Sequence, residues 1–255
     1  MKEKNCNTED LEKRIASLEE RAFQNTKEFV QVFNYATNQI LPVDDFILYR
    51  LTRLAGTTLI EAAYILLALK NTHLIEGDWC EYGVAHGRTS ALLAQALLAL
   101  RSPKKIYFYD SFEGLPKPHE KDILINDLYG LKEISAYTGK FNFPQELLIH
   151  ELGTVSENTD YYHIVKGWIE PDLLKHNSPS QISFAFLDMD FYQSTYDVLI
   201  FLTKAMSKGG IVIVDDFGFF SSGIKTAVDE VLLLNPYSWK LTTPFYSKFA
   251  FLEKL

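Results

Sequence analysis

The stretch FAFLDMD, residues 184–190, is an apolar run that stops at two carboxylates, Asp188 and Asp190. A second apolar run ends in the same way in IVIVDD, residues 211–216. Short continuous apolar runs of this kind are typical of strands buried on both faces of a parallel sheet. Because the carboxyl ends of parallel strands form the ligand crevice of such a sheet, these acids are predicted to lie in a functional site.

From residue 75 onward the chain alternates strand and helix patterns. Further strands are predicted at 78–83, 105–110 and 161–167, and helices at 88–100, 144–152 and 194–206. Two short alternating runs, 239–242 and 248–252, are predicted to pair at the edge of the sheet. Strands that alternate with helices of this length indicate an α/β fold, here a Rossmann-like, mostly parallel sheet of seven strands with helices on both faces.

The chain is predicted to consist of an N-terminal helical arm, residues 1–40, and one domain, residues 41–255. The arm is rich in charge and carries apolar residues at 4-3-4 spacing: Leu11, Ile15, Leu18 and Ala22. Such a stripe predicts a helix that either lies on its own domain or contacts a second copy of the chain in a homo-oligomer. Residues 111–143 are too many for a plain connection and are predicted to form a lid or substrate loop.

The composition argues against several classes of protein. The 255 residues carry a formal net charge of -8, so the chain lacks the basic surface that nucleic-acid binding normally requires. No apolar stretch is long enough for a membrane span, and no membrane partner is expected. The two cysteines, Cys6 and Cys80, differ in context, and no segment has the pattern of a secretory signal. These features predict a soluble protein of the reducing cytoplasm.

A glycine-containing turn follows the strand at 78–83. Glu81 precedes Gly83 and Gly87, and a helix comes next. Gly83 would allow a tight backbone turn, and Gly87 would let a ligand approach the helix N-terminus. The second strand ends in Asp110, whose carboxylate can accept hydrogen bonds from the vicinal hydroxyls of a ribose. The structural alternatives are a turn without a ligand and an Asp that caps a turn.

Asp188, Asp215 and Asp216 lie at neighbouring strand ends if their two strands pair. Carboxylates brought together in this way repel one another unless a cation neutralises them. Oxygen ligands on rigid strand ends suit Mg²⁺, or Mn²⁺, with coordination positions left open for substrate oxygens. The alternative for each acid is a helix cap with no metal.

Several motifs together resemble those of one family, the TylF/MycF or macrocin-type O-methyltransferases. In chain order they are GDWCEYGVAHGRTS, YDSFEGLPKP, VKGWIEPDLL, FLDMDFYQSTYDVL and GGIVIVDDF with KTAVDE. The resemblance covers about residues 75–235. It implies the class I methyltransferase fold, with S-adenosylmethionine and Mg²⁺ as cofactors.

The resemblance also implies roles for individual residues. Those implied near the cofactor are Glu81, Gly83 and Gly87 at its methionine and sulfonium end, and Asp110 and Ser111 at its ribose. Those implied on the metal are Asp188, Asp215 and Asp216. Some members use a late histidine as a base, but the last histidine here is His176. Asp190 is therefore predicted to act as the base or as a further metal ligand.

The chemistry of a sulfonium methyl group supports the same function. The methyl group is already activated, so catalysis chiefly requires an oxygen that is aligned with it and helped to lose its proton. A divalent ion can lower the pKa of a substrate hydroxyl. We therefore predict an O-methyltransferase for a small hydroxylated acceptor, namely a sugar, a glycoside or a polyhydroxylated metabolite of natural-product or glycan biosynthesis. The alternatives are a metal-dependent methyltransferase for catechols and a cofactor-binding module without catalysis.

Overall fold

The computed structural model of the protein describes residues 8–255, so residues 1–7 of the predicted arm, Cys6 included, lie outside the described part. The strands are β1 (Asp78–Tyr82), β2 (Ile106–Asp110), β3 (Tyr162–Lys166), β4 (Ile182–Leu187), β5 (Met206–Val214), β6 (Trp239–Thr242) and β7 (Ala250–Lys254). The helices are α1 (Thr8–Thr37), α2 (Asp45–Leu51), α3 (Leu59–Thr72), α4 (Arg88–Ala99), α5 (Gln145–Gly153), α6 (Pro171–Asn177), α7 (Tyr192–Ala205) and α8 (Ser222–Leu234). A turn of 3₁₀ helix covers Ile134–Tyr137.

The strands form a seven-stranded sheet in the order β3-β2-β1-β4-β5-β7-β6. Strand β7 is antiparallel to β5 and β6, and the other neighbouring strands are parallel. In the central register, Glu81 of β1 lies beside Phe186 of β4, which lies beside Ile213 of β5. This topology confirms the predicted Rossmann-like α/β fold, including the strand pair at one edge.

Both faces of the sheet are covered by helices. Side chains alternate along each strand, so consecutive residues pack on opposite faces. In β1, Trp79 packs in an apolar cluster with α3 and α4, whereas Cys80 packs in a cluster with α7 and α8. Both side chains are fully buried. The sheet therefore offers its strand ends, rather than its faces, to a ligand.

Helix α1 packs on the domain through its second half only. Phe29 and Phe33 contact the main apolar cluster, and Val30 is buried in it. The predicted stripe lies in the first half and stays exposed: Leu11 48%, Ile15 47% and Leu18 62%. This stripe therefore does not lie on its own domain. No helix within residues 8–255, α1 included, is both long and apolar enough to cross a membrane.

Residues 111–143 are tied to the N-terminal ends of α7 and α8. The buried carboxylate of Asp122 accepts hydrogen bonds from the Tyr192 N–H (2.9 Å) and the Ser221 hydroxyl (2.8 Å). Tyr137 is fully buried, and its hydroxyl donates to the Asp127 carboxylate (2.7 Å). A small apolar cluster completes the attachment: Leu115, Tyr137, Phe191 and Phe220. These contacts hold the segment beside the carboxyl ends of the parallel strands.

Candidate active site

The crevice lies between β1 and β4, where the strand order reverses. The two strand ends touch there, because the Asp188 N–H donates to the Tyr82 carbonyl (2.8 Å). Gly83 has a φ of 84°, and a Cβ at this residue would lie 1.9 Å from the Asp188 carbonyl oxygen. A side chain cannot fit in that space, so the close approach of the two strands requires glycine.

A cavity of about 270 Å³ opens at this crevice. Its lining contains six of the predicted site residues: Gly83, Asp110, Ser111, Asp188, Asp190 and Asp216. Aromatic side chains also line it: Tyr129, Phe141, Phe143 and Trp168. Of these, Trp168 follows β3 and was not predicted from the sequence. The same cavity thus brings together three of the predicted cofactor residues, three of the predicted acids and part of the predicted lid, whereas Asp215 is not among its lining residues.

The carboxylate of Asp110 organises the turn after β1. Its Oδ2 accepts a hydrogen bond from the Val84 N–H (2.8 Å), and its Oδ1 accepts one from the Phe112 N–H (2.7 Å). Each carboxylate oxygen keeps a further lone pair for a ligand hydroxyl. The Ser111 hydroxyl, by contrast, bonds within its own turn, to the Gly114 carbonyl (3.2 Å).

Glu81 and Gly87, which were predicted near the methionine end of the cofactor, are not among the residues that line the cavity. Glu81 lies inside β1 with 1% exposure, and burial raises the pKa of its carboxyl well above the usual value. Gly87 precedes α4 with a φ of 78°, and a Cβ there would lie 2.9 Å from the Leu148 Cα. The packing of α5 against this turn is therefore sufficient to require glycine at Gly87.

The acids after β4 and β5 converge through the pairing of these strands. The Asp215 N–H donates to the Leu187 carbonyl (2.8 Å), and the Asp216 N–H donates to the Asp215 carboxylate (2.7 Å). Asp215 and Asp216 are only 2% and 4% exposed. Asp190 and Asp216 adopt φ values of 63° and 54°, a left-handed conformation that is unfavourable for residues other than glycine. Backbone strain of this kind clusters at functional sites.

Lys248, just before β7, completes the cluster and was not predicted from the sequence. Its Nζ lies 3.1 Å from Asp215 Oδ2 and 2.8 Å from Asp216 Oδ1. Its backbone N–H donates to Glu61 Oε1 (3.2 Å). Glu61 also accepts a hydrogen bond from the Thr58 N–H (2.9 Å) at the N-terminus of α3. The helix cap thereby fixes the backbone that carries this ammonium group.

The cluster contains four carboxyl groups, at Asp188, Asp190, Asp215 and Asp216, and one ammonium group, at Lys248. Burial raises the pKa of Asp188 to about 6, an effect that Lys248 opposes and Asp216 increases. Burial also raises the pKa values of Asp190 and Asp215; in both cases Asp188 adds to the effect and Lys248 opposes it. For Lys248 itself, burial lowers the pKa, but the carboxylates of Asp215 and Asp216 outweigh burial and raise it.

The donor atoms of the cluster suit a divalent cation. Within residues 8–255, no group of three or more His, Cys, Asp or Glu side chains is arranged so that it could hold a metal ion. The Lys248 ammonium lies against two of the predicted ligands, Asp215 and Asp216. The carboxylate oxygens are nevertheless hard ligands, and Asp216 Oδ1 is buried with no hydrogen bond of suitable geometry. Because buried unneutralised carboxylates are costly, the cluster fits a cation of higher charge.

The sheet order, the tight turn at Gly83 and the acids at the strand ends define a class I methyltransferase fold. The solved structure of the O-methyltransferase NovP has this fold. It matches with a TM-score of 0.66 and 22% sequence identity, over 77% of this chain and 80% of that chain.

The chain belongs to the macrocin O-methyltransferase (TylF) family, whose sequence profile matches residues 59–233. This match confirms the resemblance found in the sequence. The 8-demethyl-8-(2,3-dimethoxy-alpha-L-rhamnosyl)-tetracenomycin-C 4'-O-methyltransferase of Streptomyces olivaceus is 28% identical over 144 residues, which cover 56% of this chain and 54% of that protein. The demethyldecarbamoylnovobiocin O-methyltransferase of Streptomyces niveus is 28% identical over 164 residues, which cover 61% and 58%. The alignments thus span a little over half the length of these relatives.

Proposed function

We propose that the protein transfers a methyl group from S-adenosylmethionine to a hydroxyl of a sugar, a glycoside or another polyhydroxylated metabolite of natural-product or glycan biosynthesis. The observation that carries this proposal is the shared cavity, which Gly83 and Asp110 line together with Asp188 and Asp190. A methyl donor bound at the first two residues would place its methyl group near the acids. The names of the two relatives support the reaction class, since both are O-methyltransferases of natural-product compounds.

The cofactor is proposed to bind over the turn after β1, with its ribose hydroxyls at Asp110. Replacing Asp110 with Ala should weaken the binding of S-adenosylhomocysteine by about 1–3 kcal/mol, because charge-assisted hydrogen bonds are lost. Titration calorimetry measures this loss. As a control, Asp172→Ala removes a carboxylate that is 88% exposed on α6 and should leave the affinity unchanged. Equal affinities for the Asp110 variant and the unmodified protein would contradict the proposed ribose contact.

The acids are proposed to act on the acceptor. Mg²⁺ or Mn²⁺ held by Asp188, Asp215 and Asp216 would supply positive charge that lowers the pKa of an acceptor hydroxyl. Asp190 lines the cavity, and burial raises the pKa of its carboxyl well above the usual value. A cation beside it would favour the ionised form of this carboxyl, so Asp190 suits the role of general base for an acceptor hydroxyl in the cavity.

The acceptor class can be tested with S-adenosylmethionine that carries a labelled methyl group, Mg²⁺, and two acceptor panels, deoxysugar glycosides and catechols. We expect transfer to a glycoside hydroxyl, because Tyr129 and Trp168 offer aromatic faces to a sugar ring beside acids that can meet its hydroxyls. Transfer to catechols alone would establish the catechol alternative. Cofactor binding without transfer to either panel would support the non-catalytic alternative.

We also propose that the exposed stripe of α1 mediates self-association. A variant in which Leu11, Ile15 and Leu18 are all replaced with Gln should sediment at the mass of one chain, because the apolar contact between copies is lost. Val32→Gln, a change at a residue that is 65% exposed on the same helix, serves as the control and should leave the mass unchanged. If the triple variant sediments like the unmodified chain, this role for the arm is wrong.

A cytoplasmic location is proposed from the cysteine pattern alone. Cys80 is a free, fully buried thiol in β1. Cell fractionation would test the location, and recovery of the protein outside the cytoplasm would contradict it.

A further inference from the structure

The position of Lys248 affects how the acid cluster would bind a metal. The side chain is 20% exposed, and its Nζ lies within 3.1 Å of carboxylate oxygens of both Asp215 and Asp216. Hydrogen bonds hold the backbone of Lys248 at both of its polar groups. Its N–H donates to the Glu61 carboxylate, and its carbonyl accepts a hydrogen bond from the Phe217 N–H (2.8 Å). The fold therefore places the ammonium group in the cluster, because both backbone polar groups of Lys248 are hydrogen-bonded.

The ammonium group and a divalent ion need the same oxygens. Asp215 and Asp216 are two of the three acids proposed to hold the metal, and both are almost fully buried. An ammonium group within hydrogen-bond distance of a carboxylate oxygen occupies the space that a metal ion on the same oxygen requires. The aromatic ring of Phe219, whose centroid lies 5.8 Å from Nζ, adds a favourable cation–π contact to this placement.

We propose that Lys248 is a tethered counter-ion that holds Asp215 and Asp216 together in the metal-free protein and competes with a divalent cation for them. The inference rests on the metal proposed above. Lys248 is then a positioning residue. Its charge keeps the cluster assembled and, at the same time, lowers the affinity of the cluster for a metal ion. Binding of the ion then requires the ammonium group to withdraw from the two carboxylates.

The test measures the binding of Mn²⁺ by the full chain saturated with S-adenosylhomocysteine. The electron paramagnetic resonance signal of free Mn²⁺ reports how much of the ion remains unbound. Lys248→Met keeps most of the side-chain volume and removes the charge, and we expect it to bind Mn²⁺ at least about tenfold more tightly. Lys248→Gln retains a hydrogen-bond donor without the charge and provides a second test if the Met variant does not fold. Lys240→Met is the matched control, since this lysine is 64% exposed on β6.

Melting in chelator gives a second readout that does not depend on turnover. Without the ammonium group the acids repel, so the Lys248→Met variant should melt at least about 5 °C lower in chelator and recover when Mn²⁺ is added. If the unmodified protein binds Mn²⁺ and both Lys248 variants bind it equally well or less well, the competition is overturned while the metal site stands. If neither the unmodified protein nor the variants bind Mn²⁺, the metal proposal itself fails together with this inference.

Discussion

Replacing Asp188 with Asn is expected to lower the rate of methyl transfer by at least about 10²-fold, because the variant loses a charge that is proposed to hold the cation beside the acceptor. The affinity for S-adenosylhomocysteine should stay close to that of the unmodified protein, since Asp110 and the turn at Gly83 remain intact. Labelled methyl transfer and calorimetry on the same preparation separate these two effects.

Loss of folding would not explain such a result. Burial raises the pKa of Asp188, so the ionised side chain is unfavourable in the folded protein at neutral pH. An uncharged Asn removes that cost, and urea unfolding should show stability equal to or greater than that of the unmodified protein. Asp229→Asn makes the same change on an exposed carboxylate of α8 and should leave the rate unchanged. Undiminished turnover by Asp188→Asn would contradict the proposed mechanism.

The variant Asp190→Asn distinguishes the two roles left open for that acid. As a general base, Asp190 should contribute about 10²–10⁴-fold to the rate, and Mn²⁺ affinity should not change when it is replaced. As a metal ligand, it should affect both the rate and the affinity for Mn²⁺. Parallel measurements of methyl transfer and Mn²⁺ binding therefore decide between the two roles.

Replacing Gly83 with Ala is expected to destabilise the protein by about 3 kcal/mol or more, because the new methyl group must overlap the backbone of the neighbouring strand end. The added Cβ would meet the Asp188 carbonyl oxygen at 1.9 Å. That carbonyl cannot easily move, since the N–H of the same residue is bonded to Tyr82. Binding of S-adenosylhomocysteine should fall with stability, because the same turn lines the part of the cavity proposed to hold the cofactor.

Gly130→Ala is the matched control for the backbone conformation. Gly130 has a φ of 69°, but no atom lies within 4 Å of the position that a Cβ would take. Its replacement should cost only the left-handed conformation, about 1–2 kcal/mol. Urea unfolding of both variants isolates the steric contribution at Gly83, and equal losses of stability would show that the close approach of β1 and β4 is not important.

Much of the fold could be predicted because the strands are buried on both faces. The run 184–187 is apolar at every position, which is typical of a strand in the centre of a sheet, and the whole of β4 is buried. The predicted bounds of the strands lie within two residues of those in the structure, except that β5 begins at Met206, five residues before the predicted run at 211–214. The placement of the stripe of α1 could not be predicted, because an apolar stripe shows that a helix is amphipathic but not which surface it faces.

The acids of the site could be predicted because strand ends are local features of the sequence, whereas Lys248 and Glu61 could not. These two residues meet across 187 positions of the chain, a contact that no short pattern encodes. A signal for Lys248 was nevertheless present. The last predicted strand begins at this residue, and the first residues of an antiparallel strand lie at the carboxyl ends of its parallel neighbours.

The most direct test of the central claim is labelled methyl transfer from S-adenosylmethionine to a glycoside acceptor, measured in excess chelator and again after Mg²⁺ is restored. If the acids after β4 and β5 hold a divalent ion that activates the acceptor, transfer should be abolished in chelator and return with Mg²⁺ or Mn²⁺. Cofactor binding, measured by calorimetry in the same buffers, should persist throughout. Full transfer in excess chelator would contradict the account.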